Sequence, residues 1–116
     1  MREPTYPILG ANVTDASGKD IAWIPDDTVV TIGGLKVGIV GIATVVTPTS
    51  TKPANVSDLR FLDPIPVVNR SAKAMRARGA QFVIVVAHAG AFCQTTPRAS
   101  CEGEIVGLAR GVNQRI

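Results

Sequence analysis

The chain has 116 residues, of which 46% are hydrophobic and 18% charged, and its formal net charge is +3. A chain of this length supports one domain at most, and its hydrophobic content is higher than that of disordered chains. Eleven glycines and eight prolines without a repeating period exclude collagen-like and coiled-coil chains. No apolar run approaches the roughly 18 residues of a membrane span.

Basic residues are concentrated in one predicted helix, at Arg70, Lys73, Arg76 and Arg78. A nucleic-acid-binding surface also needs aromatic side chains among the charges, but aromatic residues make up only 4% of this chain. Cations near the end of a helix favour its dipole, so this group is interpreted as an ordinary solvated face. We expect no nucleic-acid partner.

The first half of the chain predicts mainly strands. An apolar run at residues 6–13 predicts a strand that stops at a polar turn. Residues 28–32 and 35–44 flank Gly33-Gly34 and predict a β-hairpin, because two-residue hairpin turns need positive φ angles. Residues 45–62 have no sustained period and predict a long connecting loop.

The second half predicts a helix, a strand and a shorter helix. Asp63-Pro64 has the pattern of a helix start, and Gly79 is placed to end that helix after an amphipathic stripe. Residues 81–88 are apolar along almost their whole length and predict a buried strand. Glu102 and Glu104 then open the shorter helix, where a role in the first turn is favoured over a catalytic one.

These elements predict an α/β fold with a β-hairpin, a parallel β-α-β unit and a second short helix. The two apolar strands are typical of strands that are covered on both faces. Two helices and one hairpin cannot cover both faces of such a sheet. We therefore expect residues 1–116 to be a single incomplete domain, completed by further chain or by another molecule.

His88 is the only histidine, and it ends the second apolar strand just before Ala89-Gly90. Ligands collect at the carboxyl ends of strands in open α/β sheets, and imidazole is a common metal ligand. The alternative is a structural histidine that is hydrogen-bonded to the backbone. The residues alone leave both interpretations open.

Cys93 and Cys101 lie in one polar loop, with seven residues between them. This spacing fits neither a redox CxxC pair nor a common zinc knuckle. A disulfide is favoured over two free thiols, and it indicates an oxidising compartment.

Four stretches together resemble a known family. They are Tyr6–Val13, Leu35–Thr44 with Thr47-Pro48 behind it, Phe82–Gly90, and Gly103–Val112. In this order they are similar to the middle of the secreted bacterial 5'-nucleotidases, members of the calcineurin-like metallophosphoesterase superfamily. The more specific stretches are the second and the third, the latter with its strand-His-x-Gly ending.

The resemblance implies part of a four-layer αββα sandwich that holds two divalent metal ions at the strand ends. Such ions polarise phosphoryl oxygens and activate water. His88 matches a metal ligand of the family, and Asn12 matches a position that we interpret as structural. The other ligand motifs of the family have no counterpart here, so the resemblance assigns no catalytic or substrate-binding residue.

We expect from this resemblance an internal fragment of an exported metal-dependent phosphohydrolase. The parent is expected to hydrolyse nucleotide monophosphates or related phosphate esters in an extracellular, periplasmic or cell-surface location. Residues 1–4 lack the apolar stretch of a secretory signal, so any such signal is expected to have been removed. The fragment alone is expected to be inactive and to hold no metal stably, because one ligand cannot hold two ions.

A second hypothesis is a stand-alone binding or interaction module that uses an exposed sheet face, since large apolar patches mark partner sites. With either function, the chain alone is expected to self-associate through the bare sheet or an exchanged strand. A nucleotide-cofactor domain around Gly38 and Gly41 is disfavoured, because their spacing matches no phosphate-binding glycine motif.

Overall fold

A computed structural model describes residues 3–94 and 100–113 of the chain. The predicted hairpin, parallel β-α-β unit and second short helix are all present. The strands are β1 Val13–Asp15, β2 Asp27–Ile32, β3 Leu35–Ile42, β4 Leu59–Phe61, β5 Phe82–Ala87, β6 Phe92–Cys93 and β7 Cys101–Glu102. The helices are α1 Thr47–Ser50, α2 Pro53–Val56, α3 Pro64–Ala77 and α4 Glu104–Gly111.

The main sheet has the strand order β2-β3-β5. Gly33 and Gly34 join β2 to β3 with φ angles of 56° and 80°, which glycine adopts without steric cost. β3 and β5 are parallel and are connected through α3, with Ile42 level with Ala87. The carboxyl ends of these two strands therefore lie side by side.

Helix α3 covers one face of the sheet. The Asp63 carboxylate caps it by accepting a hydrogen bond from the Ile65 N–H at 3.0 Å, as the sequence predicts. Met75 is fully buried and lies against Gly38, where an added Cβ would be only 2.6 Å from the Met75 sulfur. Gly38 is therefore a packing position. Gly79, with φ of 96°, follows the helix end.

Helix α4 packs beside α3 on the same side of the sheet. Leu108 is buried and joins a core that includes Val40, Val68 and Met75. Gly111 lies against Ile65, so the two helices approach closely at this point. Within the described ranges, none of the helices has the length and hydrophobicity needed to cross a bilayer.

The opposite face of the sheet is largely uncovered in the described part of the chain. Leu9 crosses β3 at Gly41, where an added Cβ would lie 2.5 Å from the Leu9 Cβ. Beyond that crossing, five apolar side chains from the three strands are between 44% and 59% exposed. We call these side chains the open face: Ile32, Leu35, Phe82, Ile84 and Val86.

Two regions differ from the sequence prediction. The N-terminal strand is only β1, because the preceding residues cross the sheet, where the Ala11 N–H donates to the Gly41 carbonyl at 2.8 Å. Residues 45–62, predicted as a loop, contain α1, α2 and β4, and β4 pairs with β1. These elements have three or four residues each, which is too short for hydrophobic periodicity to reveal.

Candidate functional site

His88 lies directly after β5, where the carboxyl ends of β3 and β5 meet. Its backbone N–H donates to the Ile42 carbonyl at 2.9 Å, and its side chain is exposed. Within the described residues the imidazole has no hydrogen-bond partner, so the contact expected of a structural histidine is not made there. A cleft of about 330 Å³ opens beside it, lined by Pro7, Leu9, Ile39, Gly41, Ile42 and Val86.

The Asn12 side chain is fully buried and binds the residue that follows β3. Its amide nitrogen donates to the Ala43 carbonyl at 2.8 Å and to the Leu62 carbonyl at 3.1 Å. Its amide oxygen accepts from the Ala43 N–H at 2.8 Å. These bonds tie the end of β3 to the segment that follows β4, which agrees with the structural interpretation of this residue.

Glu104, the first residue of α4, binds the segment that follows β3. Its carboxylate accepts hydrogen bonds from the Thr44 hydroxyl at 2.6 Å and from the Val45 N–H at 2.8 Å. The sequence suggested only a first-turn charge for this residue. Its partners lie about 60 positions earlier, in a region without periodicity, so no sequence signal identified the contact.

Cys93 and Cys101 form the predicted disulfide and face each other in the hairpin of β6 and β7. Residues 95–99, between the two cysteines, lie outside the described part of the chain. The hairpin returns the chain to α4, where the Ile105 N–H donates to the Gly90 carbonyl at 3.2 Å. The disulfide therefore closes the connection between the segment after β5 and the start of α4.

Replacing both cysteines by serine is expected to lower the free energy of unfolding by about 2 to 3 kcal/mol, because the unfolded chain gains loop entropy. Urea unfolding of the oxidised wild type and the Cys93→Ser/Cys101→Ser variant, followed by circular dichroism, measures the difference. Reduced wild-type chain serves as the control and should match the variant. Equal midpoints for oxidised and reduced chains would contradict the expectation.

Asp26 precedes β2, and its backbone carbonyl accepts from the Gly41 N–H at 3.3 Å near the end of β3. Burial raises the pKa of its carboxyl, and the charges of Asp20 and Asp27 raise it further while Arg70 opposes them. The folded state therefore holds this proton more tightly than the unfolded chain does. Ionised Asp26 consequently destabilises the folded state at neutral pH.

Asp26→Asn is expected to raise the free energy of unfolding at pH 7 by less than about 1 kcal/mol, the scale of a partly exposed charge. The gain should shrink as the pH falls through the raised pKa. Below the ordinary value of 3.8 it should vanish, because the carboxyl is then protonated in both states. Thermal unfolding of both proteins across this pH range checks the trend, and a gain that grows on acidification would contradict it.

A metal centre requires several donor groups. Within residues 3–94 and 100–113, no group of three or more His, Cys, Asp and Glu side chains is close enough to hold a metal ion. The exposed imidazole of His88 fits one position of a coordination shell, whereas catalytic zinc, for example, is held by three protein ligands. The described residues do not by themselves fit a two-metal centre.

No family model matches the sequence. Three curated relatives do match it. The probable 5'-nucleotidase of Treponema pallidum is 32% identical over 72% of the chain, and the NAD 5'-nucleotidase of Haemophilus influenzae is 33% identical over 72%. A cell wall protein of Listeria monocytogenes is 27% identical over 88% of the chain.

Solved structures share the fold of this chain. A putative 5'-nucleotidase from Staphylococcus aureus matches 94% of this chain with a TM-score of 0.66 at 16% identity, and the match spans 22% of that protein. A calcineurin-like phosphoesterase from Bacillus subtilis matches 93% with a TM-score of 0.64 at 24% identity, over 35% of its length. The chain is related in sequence to 5'-nucleotidases and shares the fold of the calcineurin-like phosphoesterases.

These structural matches confirm the predicted fold class. The chain forms part of an αββα metallophosphoesterase sandwich, in which β2, β3 and β5 belong to one sheet, with α3 and α4 in the helix layer outside it. The chain spans only 13% to 14% of the length of the three curated relatives.

Proposed function

We propose that this chain is the central part of the catalytic domain of a metal-dependent phosphohydrolase that acts on nucleotide monophosphates or related phosphate esters. The proposal is supported by the similarity to two 5'-nucleotidases at 32% and 33% identity. In the whole protein, two divalent ions would polarise the phosphoryl group and activate the attacking water.

His88 is proposed as the one metal ligand that this chain contributes, and its position is the observation that carries the proposal. Its main chain is held by the Ile42 carbonyl, so the direction of the side chain is set by the β3–β5 register. Its imidazole is exposed at the edge where parallel strands present their carboxyl ends, which is where α/β folds bind ligands. An imidazole in such a position is well suited to bind a divalent ion.

Residues 1–116 are proposed to be one incomplete domain that has no activity alone. A single imidazole cannot hold two ions, so the remaining donors must come from other parts of a longer protein. The uncovered side chains of Phe82, Ile84 and Val86 support this proposal, because a second layer of the sandwich would bury them.

The proposed location is extracellular, periplasmic or at the cell surface. Disulfides persist in oxidising compartments, and Cys93 and Cys101 form one. The similarity to a cell wall protein supports the same location.

The experiment is a turnover assay on the full-length protein that contains this chain. With manganese, zinc or calcium present, it should hydrolyse AMP and a chromogenic phosphate ester. His88→Ala removes a proposed metal ligand and should lower turnover by at least about 100-fold. Even the loss of a residue that only holds a metal ligand in place costs about 10- to 100-fold. Lys73→Ala, on the exposed surface of α3, is the matched control and should retain activity.

Three results would count against the proposal. A full-length protein that is inactive with every metal would overturn the enzyme assignment. A His88→Ala variant that is as active as Lys73→Ala would remove the role of His88. Turnover by the 116-residue chain alone, lost in its own His88→Ala variant, would disprove that the chain is inactive by itself.

A second candidate function is a binding module that docks a partner through the open face. The exposure of that face favours it, since contiguous apolar surface marks interaction sites. The two candidates differ in the full-length protein, where a catalytic domain would bury Ile84 and a docking module would expose it. Thiol labelling of an Ile84→Cys variant separates them: rapid labelling supports the module, and protection supports the catalytic domain.

A further inference from the structure

We propose that Glu104 is a positioning residue for the phosphohydrolase reaction, because it holds the segment after β3 in place beside His88. This inference rests on the proposed function, since the strand ends matter to catalysis only if the reaction takes place there. Glu104 is not proposed to touch substrate. Both of its carboxylate oxygens are already engaged with Thr44 and Val45.

The two hydrogen bonds of the Glu104 carboxylate are strong. A carboxylate that accepts from a hydroxyl at 2.6 Å and from a backbone N–H at 2.8 Å makes charge-assisted bonds, which are shorter and stronger than neutral ones. Thr44 is only 9% exposed, so water competes poorly for its hydroxyl. The carboxylate therefore fixes the place where the chain leaves β3.

The effect of Glu104 extends through Thr44 to the residues that follow it. The Thr44 hydroxyl, while donating to Glu104, accepts from the Val46 N–H at 3.3 Å. The Thr44 carbonyl accepts from the Thr47 N–H at 3.2 Å and from the Thr47 hydroxyl at 2.7 Å. Thr44, which the Glu104 carboxylate holds, thus bonds to both Val46 and Thr47 in the turn from β3 into α1.

The first turn of α4 also holds the segment on the other side of the site. Its second residue, Ile105, donates its N–H to the Gly90 carbonyl, two residues after His88. Continuing the β3–β5 register places Ala43 level with His88. The start of α4 therefore connects the segments that follow both parallel strands. Glu104 binds the segment after β3 through its side chain, and Ile105 binds the segment after β5 through its backbone.

Loss of this connection should disturb catalysis more than substrate binding. Misplacement of reacting groups by about 1 Å can lower rates by about 100-fold. Glu104 is not proposed to touch substrate, so its loss should leave substrate binding nearly unchanged. The expected signature is therefore a lower kcat with little change in KM.

The test compares Glu104→Gln with Glu102→Gln in the full-length protein, using AMP as substrate with saturating manganese. Glutamine carries no charge and has one accepting oxygen in place of two, so it loses the charge-assisted bonds to Thr44 and Val45. Glu102 is an exposed residue of β7 that makes no such contact. We expect Glu104→Gln to lower kcat at least tenfold with KM within twofold, the scale of losses when a group that supports a metal site is removed. Glu102→Gln should stay within twofold for both kcat and KM.

Thr44→Val deletes the same contact from the other side and keeps the shape of the side chain. If the pair acts as a unit, the double variant Glu104→Gln/Thr44→Val should be no slower than the slower single variant. Amide hydrogen exchange of the full-length protein supplies a readout independent of turnover. Exchange at Val45 and Val46 should be faster in Glu104→Gln than in Glu102→Gln.

Each other outcome decides against the inference. If Glu104→Gln matches Glu102→Gln in kcat, or if the losses of the two single variants multiply, Glu104 does not position the site, while the proposed function stands. If Glu104→Gln fails to fold, wild-type kcat in Thr44→Val overturns the inference. A wild-type protein without turnover overturns the proposed function, and with it this role, before any variant is compared.

Discussion

Asn12→Ala is expected to lower the free energy of unfolding by about 3 to 4 kcal/mol, because it leaves buried backbone groups without partners. The Asn12 side chain is fully buried and makes three hydrogen bonds, two to Ala43 and one to Leu62. Each buried polar group that loses its partner costs about 1 to 3 kcal/mol. These bonds join Asn12 to segments that are 31 and 50 positions away in the sequence.

Urea unfolding of the wild type and the variant, followed by circular dichroism, measures the loss. Asn55→Ala is the matched control, since Asn55 is an exposed residue of the short helix α2 and its change should stay within about 0.5 kcal/mol. A variant that unfolds at low urea or without a cooperative transition agrees with the expectation. An Asn12→Ala midpoint equal to that of Asn55→Ala would contradict it.

The 116-residue chain in isolation is expected to self-associate through the open face or through β5. Within the described sheet, β5 has a paired neighbour on one side only, and its sequence FVIVVA carries no charge. Uncharged, flat edge strands pair readily with other chains. Phe82, Ile84 and Val86 add an apolar surface that association would remove from water.

Light scattering across a wide concentration range tests this expectation. The wild-type chain should form dimers or larger species as its concentration rises, and Ile84→Lys should shift it towards the monomer, because a charge opposes burial of this face. Ala74→Lys adds the same charge on the exposed side of α3 and should leave association unchanged. A wild-type chain that remains monomeric at every concentration would contradict the expected self-association.

Local signals explain the parts of the fold that were predicted from sequence. Asp63 and Pro64 define the start of α3, and Gly33-Gly34 defines the hairpin turn, because each acts on backbone groups within a few residues. The position of His88 was also predictable, since it follows from the end of an apolar strand. The disulfide followed from the spacing of two cysteines in one loop.

The parts that were missed depend on distant partners. The run at residues 6–13 looks like a strand, but tertiary contacts with β3 override its local preference, and only Val13–Asp15 pairs as a strand. Glu104 looks like a helix-start charge, and its contact with Thr44 spans 60 positions. The other ligands of a metal ion at His88 could not be predicted, because no group of three or more potential donor side chains lies together in the described residues.

Metal content of the full-length protein tests the central claim most directly. Equilibrium dialysis with manganese, followed by elemental analysis, should give two ions per wild-type chain and at most one in His88→Ala, with Lys73→Ala unchanged. Two ions bound to His88→Ala at wild-type affinity would contradict the account.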